Sequence, residues 1–230
     1  MIFITGDVHC PIDVKKLNSK NFKQQKQLTK DDYLIVCGDM GLVWSYPDGP
    51  RYNEDKYWQK WFNTRNFTTL FIDGNHENHP MLASYPIVDF CGGKAHQIKD
   101  SVYHLMRGEV YTIGGKTFFT FGGATSHDKH HRTEGRDWWP EEMATMSEMN
   151  NGIDNLAKFN NSVDYIITHC CGSDIQDIFA SFYEKDGMTS YFKFINENVN
   201  FKHWYFGHYH IDKQITDKHT CLYDGIIVIN

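Results

Sequence analysis

Seven residues of this chain place an oxygen or nitrogen donor directly after a short apolar run: Asp7, His9, Asp39, Asn75, His169, His208 and His210. They fall in five blocks: Gly6-Asp7-Val8-His9, Gly38-Asp39, Asp73-Gly74-Asn75-His76-Glu77, His169, and Gly207-His208-Tyr209-His210. Glycine precedes the donor in four of the five. Glycine lets the backbone turn sharply or approach a ligand closely. Carboxylate, amide and imidazole donors without cysteine suit Mn²⁺ first, then Fe, Zn²⁺ or Ni²⁺, and suit Ca²⁺ less. Seven such donors exceed what one tetrahedral ion needs. Two divalent ions sharing a carboxylate use them economically, and in two-metal hydrolases the ions sit about 3.5–4 Å apart.

The elements that must position these donors are short strands. Ile2–Thr5, residues 33–37, residues 69–72, Tyr165–Thr168 and His203–Phe206 are rich in Ile, Val, Tyr or Phe. Each runs into one of the blocks, and the ends of strands in an open sheet converge on a ligand crevice. Val102–Leu105, Glu109–Ile113 and Lys116–Phe121 are closely spaced, with Gly114-Gly115 marking a tight hairpin between the last two. The tail, residues 220–230, reads as strand, turn at Asp224-Gly225, strand. Helices are predicted over residues 54–65, 141–159 and 190–199. In the second, Met143, Met146, Asn150, Ile153 and Leu156 share one face, which is read as core. Pro140 and the acids Glu141-Glu142 suit its start. The pattern predicts an α/β fold with mixed sheets flanked by helices.

The chain has 230 residues, enough for one well-buried core, so a single domain over 1–230 is expected. Hydrophobic residues make up 40% and charged residues 23%. The net charge of −6 argues against a protein that mainly grips duplex nucleic acid. No apolar run approaches a membrane span. The six cysteines show neither zinc-ribbon spacing nor a disulfide framework and read as free thiols. With a strand at the very start and no leader pattern, a cytoplasmic protein is expected.

The ordered series D-x-H, G-D, G-N-H-E, H and G-H-x-H resembles the calcineurin-like metallophosphoesterase superfamily from Asp7 to His210. The resemblance implies a β-sandwich flanked by helices, with a two-metal site at the C-terminal ends of strands. It implies that Asp7, His9 and His210 bind one ion, that Asn75, His169 and His208 bind the other, and that Asp39 bridges them. His76 would face the substrate as the general acid, a role that suits imidazole. The protein Ser/Thr phosphatase branch carries G-D-x-x-D-R-G at the second block, whereas this chain has Leu42 and Val43 in the places of that Asp and Arg. A protein phosphatase of that branch is therefore not expected, and the group that orients His76 is left open.

A lone Asp or His at a strand end is usually a cap, and only the joint occurrence of the blocks reverses that reading. Asp73 and Glu77 are read as structural. Two polar segments, 44–52 and 125–139, are read as rims of the site. Arg132 or Arg136 could grip phosphate, and Trp44, Tyr46 or Trp138 could stack on a base or sugar. His127, His130 and His131 are read as exposed or substrate-facing, not as a third metal site. The expected substrate is a small phosphomonoester, phosphodiester or nucleotide-like molecule. The alternatives are a nuclease acting on single-stranded ends and a non-catalytic scaffold.

Overall fold

The computed structural model describes residues 1–229. In chain order its strands are β1 (Ile2–Thr5), β2 (Tyr33–Val36), β3 (Thr68–Phe71), β4 (Ile87–Phe90), β5 (Gly93–Lys99), β6 (Val102–Leu105) and β7 (Glu109–Ile113). They continue with β8 (Lys116–Phe121), β9 (Tyr165–Thr168), β10 (His203–Phe206), β11 (Lys213–Thr216), β12 (His219–Cys221) and β13 (Ile226–Ile229). The helices are α1 (Tyr52–Asn63), α2 (His79–Ala83), α3 (Met146–Lys158), α4 (Ser173–Phe179) and α5 (Gly187–Asn198).

The described strands form a seven-stranded sheet, β13-β1-β2-β3-β6-β5-β4, and a six-stranded sheet, β11-β12-β10-β9-β8-β7. Both are mixed. β1, β2, β3 and β6 run parallel in the first, and β8, β9, β10 and β12 in the second. The inner faces bury Ile4, Ile35 and Leu70 from one sheet against Phe118 and Ile167 from the other. Helices cover the outer faces. Phe62 of α1 joins a core with Phe3, Leu34 and Val36, while Leu156, Ile175 and Phe192 of α3, α4 and α5 pack with Phe119, Ile166 and Trp204. The result is the layered sandwich that strand-like runs alternating with helical ones require.

Several expectations shift. Gly114 and Gly115 do make the β7–β8 hairpin, with φ of 56° and 77°. The β4–β5 hairpin went unread because Cys91-Gly92 makes its turn, and Cys91 takes the positive φ that Asn or Asp would have advertised. The tail strands β12 and β13 flank the expected turn but belong to different sheets. Asn230, the end of the predicted tail strand, lies outside the described residues. The long helix starts at Met146, later than expected. Thr145 and Glu148 form a capping box there, and Pro140–Glu142 is a separate 3₁₀ turn. The apolar stripe assigned to that helix is corrected. Met146 is 70% exposed and Ile153 37%, and the buried face is Met149, Gly152 and Leu156. Among the described residues no helix is long and apolar enough to cross a membrane, and all six cysteines are free.

Candidate metal centre

Each of the five blocks lies just beyond the C-terminal end of a parallel strand, namely β1, β2, β3, β9 and β10. The two sheets therefore bring the blocks together at one edge of the sandwich. Gly38 and Gly74 allow the close approach. A Cβ on Gly38, whose φ is 93°, would lie 2.2 Å from His169 Nδ1, and one on Gly74 would lie 2.0 Å from Asp39 Oδ1. His9, Asp39, His208 and His210 all hold positive φ, between 40° and 67°. Such a conformation costs a non-glycine residue about 1–3 kcal/mol and collects at functional sites.

Two fully buried carboxylates form the floor. Asp39 Oδ2 lies 3.1 Å from His9 Nε2 and 3.4 Å from His169 Nε2. Asp7 lies 3.6 Å from His169 Nδ1 and 3.3 Å from His210 Nε2, and it accepts the His208 backbone N–H at 3.1 Å. Asn75 Oδ1 sits 3.1 Å from His169 Nε2 and 3.0 Å from His208 Nδ1. The ligand atoms of His9, Asp39 and His210 lie within 4.8 Å of one another, as do those of Asp7, Asp39 and His169. Each group could share one cation, and Asp39 belongs to both.

The imidazoles are held in set orientations. His169 Nδ1–H donates to the Cys37 carbonyl at 2.7 Å, which leaves Nε2 as the donor atom facing Asp39. His9 Nδ1 bonds Asp13 at 3.0 Å, with the same consequence. Asn75 Nδ2 donates to the Ser126 hydroxyl at 3.1 Å, and that hydroxyl donates to the buried Glu142 at 2.6 Å. The amide oxygen of Asn75 is thereby turned inward.

The two carboxylates of this cluster are countered by imidazoles. Neither Asp7 nor Asp39 pairs with a lysine or arginine among the described residues. Burial raises the Asp7 carboxyl, with His169 opposing. Burial also pushes Asp39 up, but the imidazoles of His169 and His9 outweigh it and hold Asp39 well below the carboxylate range. Burial lowers His9 and His169, yet the carboxylates win and lift both to about 9. Those protons are what a cation would displace. Hard oxygen and imidazole donors converging on two buried carboxylates, whose counter-charges are displaceable imidazole protons, fit divalent transition metals.

The model of the calcineurin-like phosphoesterase family matches residues 1–212, a span that includes every block. The chain belongs to that family. A search of curated proteins found no match.

In this calcineurin-like phosphoesterase a cleft of about 240 Å³ opens over the cluster, lined by Asn75, His76, His127, Asp128, Tyr183 and His210 among others. The His76 backbone N–H is anchored to Asp39 Oδ1 at 2.7 Å. Arg132 reaches its ring, with Nη1 3.1 Å from Nδ1, and Asp128 holds the guanidinium through two bonds of 2.7 Å. Nη2 lies 3.4 Å from Nε2, so the guanidinium sits against both ring nitrogens. Burial lowers the His76 pKa, Asp39 opposes this, and Arg132 adds to the lowering.

The Arg136 side chain is 73% exposed, pairs with Asp137 and is not among the residues lining the cleft. Trp44 meets Trp139 edge-on at 5.5 Å with Arg51 over its face, and it does not line the cleft either. His127, His130 and His131 are exposed. Asp73 and Glu77 are structural, as expected. Glu77 accepts the Met40 and Gly41 backbone N–H groups, and Asp73 binds Arg107 and His104.

Sequence reasoning missed the aromatic side of the cleft. Tyr183 lies 4.2 Å from His127 and 6.2 Å from His208 between ring centroids, and Phe182, 82% exposed, lies 4.6 Å from Tyr183 with the rings tilted by 34°. These residues belong to the loop after α4, where no metal-type block drew attention. An exposed Phe-Tyr pair flanked by polar residues was the available signal.

Proposed function

We propose that this chain hydrolyses a small, nucleotide-like phosphoester with two divalent ions held by Asp7, His9, Asp39, Asn75, His169, His208 and His210. The carrying observation is the pair of buried carboxylates whose side-chain ion partners are all imidazoles. When bound, the ions supply Lewis acidity and a water acidified enough to attack phosphorus near neutral pH. Mn²⁺ is the first choice for a mixed oxygen and nitrogen donor set, with Fe, Zn²⁺ or Ni²⁺ as alternatives.

The remaining steps belong to the protein. Asp39 orders the loop bearing His76 through the backbone bond. Arg132, set against both ring nitrogens, holds the His76 ring where it can pass a proton to the leaving oxygen. The Arg132 guanidinium beside it takes the phosphoryl oxygens in the place where relatives with G-D-x-x-D-R-G use an arginine that Val43 cannot supply. Tyr183 and Phe182 give a planar group on the substrate a surface to stack on, which supports a nucleotide-like molecule over an aliphatic phosphate.

The test is hydrolysis of p-nitrophenyl phosphate and bis-p-nitrophenyl phosphate by metal-stripped protein, with Mn²⁺, Zn²⁺, Ni²⁺ and Mg²⁺ added singly. Turnover restored by metal supports the proposal, and the faster substrate separates monoester from diester chemistry. Bound metal without turnover on these substrates or on a panel of nucleotides would overturn the hydrolase reading in favour of a scaffold.

A further inference from the structure

The four imidazoles of the metal-type cluster are not held alike. His9 and His169 are each fixed by a hydrogen bond from Nδ1 to a group outside the donor set, Asp13 and the Cys37 carbonyl. His208 turns its Nδ1 to Asn75 and packs against His127 and Tyr209. His210 has no such hydrogen bond among the described residues, and its side chain is 49% exposed. Its ring is held by aromatic contacts instead. Tyr223 lies face to face with it at 4.7 Å, the planes 9° apart, and His9 meets it edge-on at 5.1 Å. An exposed imidazole without a hydrogen bond turns over a broad range about its last torsion, and a ring stacked on one face restricts that turning.

Tyr223 can serve in this way because its own loop is clamped. The loop joins β12 to β13 and lies beyond residue 212, where the match to the family ends. The carboxylate of Asp212, two residues after His210, accepts the backbone N–H groups of Tyr223, Asp224 and Gly225 at 2.8, 3.1 and 3.0 Å. The Tyr223 carbonyl accepts from Lys16 Nζ, which also donates to the carbonyls of Gly6 at 3.1 Å and Asp7 at 2.5 Å. Lys16 is 5% exposed, and three carbonyl oxygens match the three N–H groups of an ammonium. Gly6 lets the loop seat there, because a Cβ on it would lie 1.9 Å from the Leu222 carbonyl oxygen. One lysine therefore ties Asp7, assigned to the same ion as His210, to the residue that stacks on His210.

We propose that Tyr223 is a positioning residue for the ion assigned to Asp7, His9 and His210, and that Lys16 and Asp212 act through it by holding its loop. The proposal rests on the two-metal reading above. The other ion's donors are oriented from elsewhere, Asn75 by Ser126 and His169 by the Cys37 carbonyl. Loss of the Tyr223 ring should therefore weaken one ion and spare the other.

The experiment is a Zn²⁺ titration of the metal-stripped chain, followed by long-range ¹H–¹⁵N spectra of the histidine rings, in wild type, Tyr223→Ala and Tyr223→Phe. The His9 and His210 signals report one ion, and the His169 and His208 signals the other. In Tyr223→Ala the His210 signal is expected to saturate at about tenfold higher Zn²⁺, with the His169 and His208 transitions unmoved. Tyr223→Phe keeps the stacked face and restores the wild-type affinity. Asp212→Ala is the second variant should Tyr223→Ala fold poorly. It leaves the ring, loosens the loop and weakens the same ion by a smaller factor. Unchanged uptake in whichever of the two folds, equal weakening of both ions, or a loss that Tyr223→Phe does not restore would each overturn the role of Tyr223 while the two-metal reading stands. A wild-type chain that takes up no Zn²⁺ would overturn that reading and this one with it.

Discussion

The centre around Asp39 and the cluster around Asp73 are built from the same residue types at the same end of β3, and they behave in opposite ways. The side-chain ion partners of Asp7 and Asp39 are imidazoles, whereas Asp73 is met by Arg107 and His104. The carboxylates of the first group lift His9 and His169 to about 9, while burial in the second holds His79 near 3 and His96 near 4. The positive-φ strain at His9, Asp39, His208 and His210 has no counterpart at Asp73, His79, His96 or His104. The balance of charge therefore separates the two, more than the inventory of Asp and His does. Carboxylates matched only by imidazole protons can exchange those protons for a cation, and a carboxylate matched by guanidinium is a structural post.

The largest effect should come from removing the shared carboxylate. Asp39→Ala is expected to bring metal-dependent hydrolysis to background while leaving a folded chain, checked by the nitrophenyl assays and circular dichroism. His76→Ala should keep its metals and lose about 10²–10⁴-fold in turnover. Unchanged activity would remove His76 from the acid role.

Asp73→Asn breaks the other region instead. It leaves the buried Arg107 with only Glu148, at 3.4 Å, as an anionic partner, at a cost of about 3 kcal/mol in urea unfolding. A neutral result there would mean that Arg107 finds another partner.

The lowered histidines set the sign of the acid response. A folded pKa of about 3 for His79, below the unfolded value of 6.5, means the unfolded chain binds more protons between those limits. Stability is then fully present above 6.5 and falls as pH drops toward 3, by up to roughly 5 kcal/mol from this residue. His79→Phe should flatten that limb in denaturant titrations at stepped pH.

The smallest contrast lies within one loop. Arg132→Ala should raise KM about tenfold through its lost phosphate contact, whereas Arg136→Ala should behave as wild type. Equal effects would undo the distinction drawn from their exposure.

Much of the centre was legible because its requirements are local. A strand, a glycine and a donor are consecutive in sequence, so five such blocks can be read without knowing how they meet. The parallel strands were legible for the same reason, being apolar on both faces. The cluster at Asp73 was not legible, because His79, His96, His104 and Arg107 come from α2, β5, β6 and the loop after β6. Only the sheet pairing of β3, β6 and β5 brings them together. The rim was half legible. Arg132 and Arg136 look alike in sequence, and the difference arises because Asp128 draws Arg132 toward His76 while Arg136 turns to Asp137. The α3 stripe misled because Thr145 sets where the helix starts, and packing against the six-stranded sheet selects a different face from the most hydrophobic one.

The most direct test of the central claim is a metal count. Metal-stripped wild type, Asp39→Ala and Asp73→Asn would be dialysed to equilibrium against Mn²⁺, and the bound metal measured per folded chain by mass spectrometry. The expected result is two ions for the wild type and for Asp73→Asn, and none for Asp39→Ala. A folded wild-type chain that takes up no Mn²⁺, Zn²⁺ or Ni²⁺, or an Asp39→Ala chain that keeps both ions, would contradict it.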